Sequence, residues 1–244
     1  MANESMRLVA WNCAGGFHRK AKVLKAYAPD IVVLSEASKD CVPLVGGDAT
    51  GVWIGSHPGY GLAVIGMNGW KIETMDIAVE ESLFLPVRAV RGSDQLYLVG
   101  LCAKKDGDYV APTLRALSRL SAFISEKGAI LAGDFNQSVK FDAKRGPAGH
   151  FGRVLDVLES LGVISAWHHT RDEKFGSETS SSYFHRWQKG HGSHIDYAFV
   201  PRGFAISSAR LGTYDDFVAA GLSDHVPLTV DLKLSNGLRA REES

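Results

Sequence analysis

Short apolar runs recur along the whole chain, and they limit the possible folds more than any other feature of the sequence. Their length, their β-branched residues and the Gly, Pro, Asp or Ser residues beside them are typical of β-strands. A chain with this pattern is predicted to fold around β-sheet. The runs lie at 7–11, 31–34, 61–66, 96–101, 129–132, 195–200 and 227–234, and two further strands, joined near 80–84, are predicted within 72–90.

Helical patterns separate some of the predicted strands. The segments 112–128 and 151–162 place apolar residues at three-and-four spacing and are each closed by a Gly, and a shorter helix, 19–30, is ended by Pro29. Strands outnumber helices, and some of them are hairpin neighbours. The pattern therefore predicts a mixed sheet core with helices outside it rather than a repeat of parallel βα units. With 244 residues, one domain over 1–234 is favoured, followed by a polar, frayed tail at 235–244.

The composition excludes some classes of protein. Lys plus Arg and Asp plus Glu number 27 each, so a protein that coats nucleic acid through bulk charge is disfavoured, although a local basic cleft is not. Three scattered cysteines offer neither a disulfide framework nor metal-site spacing. Without a signal peptide or a membrane-spanning apolar run, we expect a cytoplasmic protein that contacts no membrane and needs no obligate protein partner.

Polar residues stand at one end of five of the apolar runs. Any one of them alone is explained as a turn or helix-cap residue, but together they supply what metal-assisted phosphoester hydrolysis requires. In a layer of strands such residues can converge on one edge. They are Asn12, Glu36, Asp134 with Asn136, Asp196, and Asp224 with His225.

These residue types suggest a division of roles. Glu36, with Asn12 and Asp224, could hold a hard divalent ion through oxygen ligands, and this donor set suits Mg²⁺ or Mn²⁺. Asp134 could orient or deprotonate the attacking water. Asn136 could hold that water or a phosphate oxygen.

His225 is predicted to face the phosphate as a cation. A nearby carboxylate would raise the pKa of its imidazole, and Asp196 is the natural candidate for that carboxylate.

The same residues, in this order, closely resemble the motifs of the endonuclease/exonuclease/phosphatase superfamily, which includes DNase I-like nucleases, exonuclease III-like repair enzymes and phosphatases. The resemblance covers about residues 6–234 and is nearest to a compact bacterial branch. It implies an α/β fold, namely a four-layer α/β sandwich of two packed mixed β-sheets flanked by helices, with the site at one end. It also implies the roles given above and a Mg²⁺ or Mn²⁺ cofactor. The motifs are AWN (10–12), LSE (34–36), GDFN (133–136), HIDY (194–197) and SDH (223–225).

The sequence departs from the superfamily pattern in two places. Most of its nucleases have His or Tyr where this chain has Cys102, so a phosphate contact is either missing or supplied by Lys104 or Lys105, although both lysines are more simply explained as solvated. Abasic-site enzymes usually carry Gln before the metal-binding Glu and Lys two residues after it. Ser35 and Ser38 occupy those positions here, which disfavours an abasic endonuclease.

Two segments are candidates for contact with the substrate. The first, 17–22, follows the Asn12 strand and carries basic residues that could contact a phosphate backbone. Alternatively, it is the solvated start of a helix. The second, 180–196, interleaves aromatic residues with cations, a combination that suits base stacking and phosphate pairing, although its aromatic residues could simply cover the sheet. The candidate residues are Arg19, Lys20, His185, Arg186 and His194.

Three functions are compatible with these features. A nuclease that cuts nucleic-acid phosphodiesters is favoured by the basic and aromatic segment. A phosphatase or phosphodiesterase acting on a small substrate is favoured by the zero net charge. A non-catalytic binding module is disfavoured because no catalytic position is lost except the one near Cys102.

Overall fold

The computed structural model describes residues 5–81 and 83–234, and within them two six-stranded sheets form the core. The strands are β1 Ser5–Asn12, β2 Ile31–Ala37, β3 Thr50–His57, β4 Tyr60–Gly66, β5 Lys71–Thr74, β6 Phe84–Arg91, β7 Asp94–Cys102, β8 Ile130–Asp134, β9 Val163–Ser165, β10 Tyr183–Phe184, β11 Gly192–Ser193, β12 Asp196–Pro201, β13 Ala205–Leu211 and β14 Leu228–Lys233.

The helices lie between these strands and are mostly short. They are α1 Ala21–Ala26, α2 Cys41–Val45, α3 Val110–Arg119, α4 Ser121–Ser125, α5 Gly152–Ser160, α6 Ala166–Arg171 and α7 Tyr214–Phe217. Short 3₁₀ turns span Phe17–Arg19, Val139–Lys144, Pro147–Gly149 and His185–Trp187. None of the helices described here is long and apolar enough to cross a membrane.

Both sheets are mixed. The first has the strand order β13-β14-β1-β2-β4-β3, and its only parallel pair is β1 with β2. The second has the order β5-β6-β7-β8-β12-β9, and its only parallel pair is β7 with β8. The hairpin β10–β11 stands apart from both.

The two sheets pack face to face, and helices cover their outer faces. Helices α1, α2 and α7 lie on the outside of the first sheet, and α3, α4 and α5 lie on the outside of the second. Trp167 of α6 packs into the core between the sheets. This arrangement confirms the predicted four-layer α/β sandwich.

Strand β1 shows why the central strands contain unbroken apolar runs. Met6, Leu8 and Ala10 belong to the core between the sheets, whereas Val9 and Trp11 pack under the helices on the other face. Because successive side chains of a strand point to opposite faces, a strand covered on both sides must be apolar at every position. The unbroken apolar runs of the sequence are strands of this kind.

Strand direction brings the polar strand ends to one edge of the sandwich. Strands β12 and β14 run antiparallel to β8 and β1, so each of them begins where its neighbour ends. Asp196 is paired with Asp134, and Leu228 with Ala10. The ends of β1, β2 and β8 therefore meet the starts of β12 and β14.

The sequence did not predict strands β3 and β13. Both lie at the edges of the first sheet, and each carries several Gly, Ser or other polar residues. An edge strand does not need to be apolar on both faces, so it lacks the continuous apolar run by which the inner strands were recognised.

Two predicted helices are shorter than expected. The predicted helix 112–128 corresponds to two helices, α3 and α4, which span 110–125 and are separated at Leu120, where the backbone leaves the helical region. Within the segment 19–30 only α1, Ala21–Ala26, is α-helical, and it follows the 3₁₀ turn Phe17–Arg19. A residue before a proline is disfavoured in the right-handed helical conformation, and Ala28, just before Pro29, has a left-handed φ of 47°.

Truncating the outer helices is expected to destabilise the fold. Leu117 of α3 and Leu158 of α5 are buried and pack in one cluster with Leu131 and Phe199 of the second sheet. Replacing either leucine with alanine should cost about 2–5 kcal/mol of the free energy of unfolding, measured by urea denaturation. The matched control Leu114→Ala, at a partly buried position of α3, should cost less. Equal, small losses at all three positions would contradict the packing described.

Candidate active site

Asp134 is at the centre of a hydrogen-bonded cluster on the shared sheet edge. It is buried, and its Oδ2 accepts from the side-chain amides of Asn12 and Asn136, each at 3.0 Å. Its Oδ1 accepts from the backbone N–H of Asn136 at 2.7 Å. Because Asn12 ends a strand of the first sheet and Asp134 ends a strand of the second, the bond between them joins the two sheets.

Two residues of this edge have left-handed backbone conformations. Glu36 has a φ of 58° and lies where a bulge interrupts the pairing of β2 with β4, and Asn136 has a φ of 55°. Such conformations are strained for residues with a Cβ and tend to cluster at functional sites. The bulge leaves Glu36 half-buried although its neighbours Ser35 and Ala37 are buried.

Gly133 allows the strands beneath Asp134 to approach closely. It has a φ of 139°, and a Cβ at this position would lie 1.9 Å from the carbonyl oxygen of Leu101 on β7. No other residue type fits there without moving β7. The Gly in the GDFN motif is therefore a backbone requirement of the site.

His225 and Asp196 form the predicted pair. The Nδ1 atom of His225 lies 2.9 Å from Oδ2 of Asp196, and its Nε2 lies 4.0 Å from Oδ2 of Asp134. Both residues are buried, and the ring of Tyr183 lies against the imidazole with centroids 4.7 Å apart. Nε2 is thus left to face Asp134 and whatever binds beside it.

Two buried serines hold this pair in place and were not predicted as site residues. Ser182 Oγ accepts from the backbone N–H groups of Ile195 and Asp196, each at 3.0 Å. Ser223 Oγ accepts from the N–H of His225 at 3.0 Å and donates to the carbonyl of Asn12 at 2.7 Å. Ser223 belongs to the SDH motif, whereas no sequence signal identifies Ser182.

The charges in the cluster shift its pKa values. Burial lowers the pKa of His225, but the attraction of Asp196, its hydrogen bond and the charge of Asp134 outweigh burial and raise it to about 10. Burial raises the pKa of Asp134 to about 7, and Asp196 adds to the increase while His225 and the Asn12 hydrogen bond oppose it. The site therefore contains an imidazolium beside a carboxyl group that titrates near neutrality.

We expect His225 to remain protonated at pH 7.5 in the metal-free protein. Its pKa is raised in the folded state from an ordinary value of 6.5, so its contribution to stability is fully present below pH 6.5 and is lost as pH rises through about 10. The ¹⁵N shifts of the ring should show protons on both nitrogens. In Asp196→Asn the pKa of His225 should fall, because the charge that opposes the effect of burial is removed. A neutral imidazole in the wild-type protein at pH 7.5 would contradict this prediction.

The residues around the cluster suit a divalent cation. Burial raises the pKa of Asp224, and Glu36 adds to the increase, so these two carboxylates act on each other. Asp134, Asp196 and Asp224 all act on the charge of His225, and Glu36 acts on Asp224, so a divalent ion would relieve the mutual repulsion of these carboxylates. Ligand atoms of Asp134, Asp196 and His225 also lie within 4.8 Å of one another, but the imidazole and Asp196 already satisfy each other by hydrogen bonding. The set of Glu36, Asp224 and Asn12 stays a prediction.

The predicted substrate-binding residues fall into two groups. Arg19, His185 and Arg186 are exposed. Lys20 is buried, and its ammonium donates to the carbonyls of Cys13 and Gly15 at 2.5 and 2.7 Å. His194 is fully buried, and burial lowers its pKa to about 4. The prediction of direct substrate contact is thereby corrected for both: Lys20 holds the loop after Asn12, and His194 packs against the rings of Trp167 and Tyr197.

The end of β7 carries Cys102 where most nucleases of the superfamily have His or Tyr, and an aromatic residue from another strand lies near it. Cys102 is buried, as expected of a small core residue, and Lys104 Nζ lies 5.2 Å from the ring centroid of Tyr60. Tyr60 is 43% exposed at the start of β4, and its pKa is raised by burial and then by a hydrogen bond to Glu36. Sequence reasoning missed Tyr60, although an aromatic residue between glycines in a hairpin turn is a recognisable signal.

A four-layer α/β sandwich with carboxylate, amide and imidazole groups at one sheet edge is the architecture of DNase I-like phosphoester hydrolases. The sequence model described as the Endonuclease/Exonuclease/phosphatase family matches residues 9–225. The chain therefore belongs to the endonuclease/exonuclease/phosphatase family. A sequence comparison with curated proteins finds no significant match.

Solved structures of several proteins share the fold. An endonuclease/exonuclease/phosphatase from Beutenbergia cavernae DSM 12333 superposes with a TM-score of 0.71 and 18% identity, covering 96% of this chain and 72% of that one. A 3′-5′ exonuclease from Neisseria meningitidis superposes with a TM-score of 0.67 and 19% identity, covering 92% of this chain and 98% of that one. The AP endonuclease LMAP from Leishmania major superposes with a TM-score of 0.67 and 16% identity, covering 94% of this chain and 88% of that one. At these identities the likeness shows the fold alone.

Proposed function

We propose that this protein hydrolyses nucleic-acid phosphodiesters, using a divalent metal ion and an activated water. The observation that carries the proposal is the connected cluster in which Asn12 and Asn136 bond Asp134 while the imidazole of His225, held by Asp196, faces the same carboxylate. This arrangement joins a proton acceptor, a water-binding amide and a cation at one place.

Asp134 and Asn136 are proposed to handle the attacking water. The amide nitrogen of Asn136 donates to Asp134 and to the carbonyl of Ala103, so its Oδ1 is turned away from both and can accept a hydrogen bond from water. Asp134, with a pKa raised to about 7, is suited to take the proton that the water loses. The two side chains would orient the water before it attacks.

His225 is proposed to stabilise the negative charge that develops on the phosphoryl oxygens. Its Nδ1 is bonded to Asp196, which fixes the ring and favours the protonated form, while Nε2 remains able to donate to a phosphate oxygen. Glu36, Asp224 and Asn12 would hold the metal ion. When bound there, a divalent ion polarises the phosphoryl group and lowers the pKa of water.

Exposed cations and an aromatic residue beside the cluster favour a polynucleotide substrate. Arg186 and Trp187 lie at the tip of the β10–β11 hairpin, both with left-handed φ angles, of 52° and 62°, and Trp187 is 41% exposed. Arg19 and His185 are exposed as well. Cations pair with phosphates and aromatic rings stack on bases. The names of the similar structures, a 3′-5′ exonuclease and an AP endonuclease, agree with a nucleic-acid substrate.

A phosphatase or phosphodiesterase acting on a small phosphorylated substrate is the second candidate. It is favoured by the balance of 27 basic and 27 acidic residues, which gives the whole molecule no attraction for a polyanion. One structural neighbour is described as a 3′ phosphatase bound to a product DNA hairpin, so the fold also accommodates removal of a terminal phosphate.

A substrate panel tests the proposal. The protein is incubated with Mg²⁺ or Mn²⁺ and single-stranded DNA, duplex DNA, abasic duplex, RNA, 3′-phosphorylated oligonucleotides and sugar phosphates, with EDTA in parallel. Cleavage of oligonucleotides that EDTA abolishes is expected. Release of inorganic phosphate from sugar phosphates alone would favour the second candidate, and no hydrolysis of any substrate would refute both.

A further inference from the structure

A cleft of about 440 Å³ lies next to the candidate active site, and neither the catalytic cluster nor the β10–β11 hairpin contributes to its lining. Its walls are the loop that follows β7 and the turn at 145–149. Lys105, Asp108, Tyr109 and Arg145 supply its polar and aromatic lining, and glycines line much of the rest. The volume is within the range of pockets that hold a small organic ligand.

Both walls of the cleft are continuous with the catalytic residues. Ala103, two residues before Lys105, donates its N–H to the carbonyl of Asp134 at 2.8 Å and accepts from the amide of Asn136 at 3.2 Å. On the other wall, Arg145 donates to Oε1 of Gln137 at 2.5 Å, and Gln137 follows Asn136 directly. A ligand in the cleft would therefore be next to whatever binds at Asp134 and Asn136.

The charge of the cleft suits an anion. Among the described residues, Lys105 makes no hydrogen bond or ion pair, and Arg145 bonds to the neutral Gln137 and to no carboxylate. Asp108 is the only acid in the lining, and its Oδ1 accepts from the N–H of Ala111 at the start of α3. Neither cation has an acidic partner, and the two positive charges outnumber the one carboxylate of the lining.

An aromatic ring stands beside these cations. Tyr109 lines the cleft and is half-buried. Its phenol is close enough to Tyr183 to contribute to the raised pKa of that residue, which comes mainly from burial. Because the ring of Tyr183 contacts that of His225, with centroids 4.7 Å apart, Tyr109 lies on the same side of the sandwich as this imidazole. Cations beside an aromatic face are what a nucleotide requires, for its phosphate and its base respectively.

We propose that this cleft binds the nucleotide next to the scissile phosphodiester, with its phosphate between Lys105 and Arg145 and its base against Tyr109. The inference rests on the proposed function and deepens it, because it makes the enzyme select a polynucleotide over an isolated phosphoester. Lys105 and Tyr109 are specificity residues in this assignment. Arg145 also positions Gln137 beside Asn136.

The test compares a substrate that reaches the cleft with one that does not. A single-stranded oligodeoxynucleotide of 12 nucleotides extends beyond the reacting phosphate, whereas bis(p-nitrophenyl) phosphate ends there. We expect Lys105→Gln and Tyr109→Leu each to lower kcat/KM for the oligonucleotide about tenfold more than for bis(p-nitrophenyl) phosphate. Lys144→Gln is the matched control, since Lys144 is an exposed neighbour of Arg145 that does not line the cleft, and it should change neither value.

Binding measured without turnover separates this inference from the proposed function. Fluorescence anisotropy of the labelled oligonucleotide in EDTA should show about tenfold weaker binding for Lys105→Gln. The slope of log Kd against log salt should fall by about 0.7, the value for one phosphate contact on a single strand. Unchanged binding and salt dependence, or equal losses on both substrates, would overturn the inference. A wild-type protein that hydrolyses neither substrate, with the binding loss still present, would refute the proposed function while supporting the nucleotide cleft.

Discussion

Replacing Glu36 with alanine is expected to abolish metal-dependent turnover while the fold remains intact. Glu36 lies at the bulge of β2 with a half-buried carboxylate near Asp224, and hard divalent ions bind through such oxygen ligands. Its left-handed φ of 58° penalises alanine no more than glutamate, because both carry a Cβ, so the substitution adds no backbone strain. Turnover is measured with Mg²⁺, metal binding by calorimetry with Mn²⁺, and the integrity of the fold by thermal unfolding.

Glu159→Ala is the matched control for this variant. Glu159 is an exposed glutamate on α5, paired only with the exposed Arg202, so its loss should leave turnover and metal binding unchanged. Full activity in EDTA, or in Glu36→Ala, would refute the metal assignment. Loss of cooperative unfolding in Glu36→Ala would instead show that the carboxylate is a structural group.

Removing either member of the His225–Asp196 pair is expected to reduce turnover about 10²–10³-fold, the usual consequence of losing one group that stabilises a developing negative charge. His225→Ala removes the imidazolium itself. Asp196→Asn keeps the shape of the side chain but removes the charge that raises the pKa of His225 against its burial. Both losses should fall mainly on kcat, since the charge they stabilise is greatest in the transition state.

The double variant distinguishes a pair from two independent groups. If Asp196 acts through His225, the double variant should be little slower than His225→Ala alone, because groups that act as a unit are non-additive. His169→Ala is the control and should retain activity, because His169 is exposed on α6 and its side chain makes no hydrogen bond within the described part of the chain. Fully multiplicative losses would show that Asp196 contributes independently of His225.

The inner strands and the convergence of their polar ends could be predicted because both depend on short-range patterns. Apolar residues on both faces of β1 identify a covered strand, and Asn12, Asp134 and Asp196 interrupt such runs where the strands begin or end. The family resemblance then supplied the division into two packed sheets, which the residues alone did not give. Edge strands such as β13, half-exposed and partly polar, carry no comparable pattern.

The supporting contacts could not be predicted because they depend on distances between segments far apart in the chain. Nothing in the sequence around Ser182 indicates that its hydroxyl accepts a hydrogen bond from the N–H of Asp196. Lys20 is a plausible phosphate ligand until its ammonium is found bonded to two backbone carbonyls. Tyr60 approaches Glu36 only because the bulge in β2 and the β3–β4 hairpin coincide.

The pairing of β1 with β14 has a consequence for synthesis of the protein on the ribosome. Strand β1 is made first among the described strands and β14 last, yet the two are neighbours in one sheet, and the indole of Trp11 donates to the carbonyl of His225 across 214 residues of sequence. Closing so long a loop makes this sheet a late event in folding. A nascent chain shorter than 225 residues already contains Asn12, Glu36 and Asp134, but it lacks His225 and leaves one side of β1 unpaired. The proposed active site is therefore completed only after His225 has been synthesised.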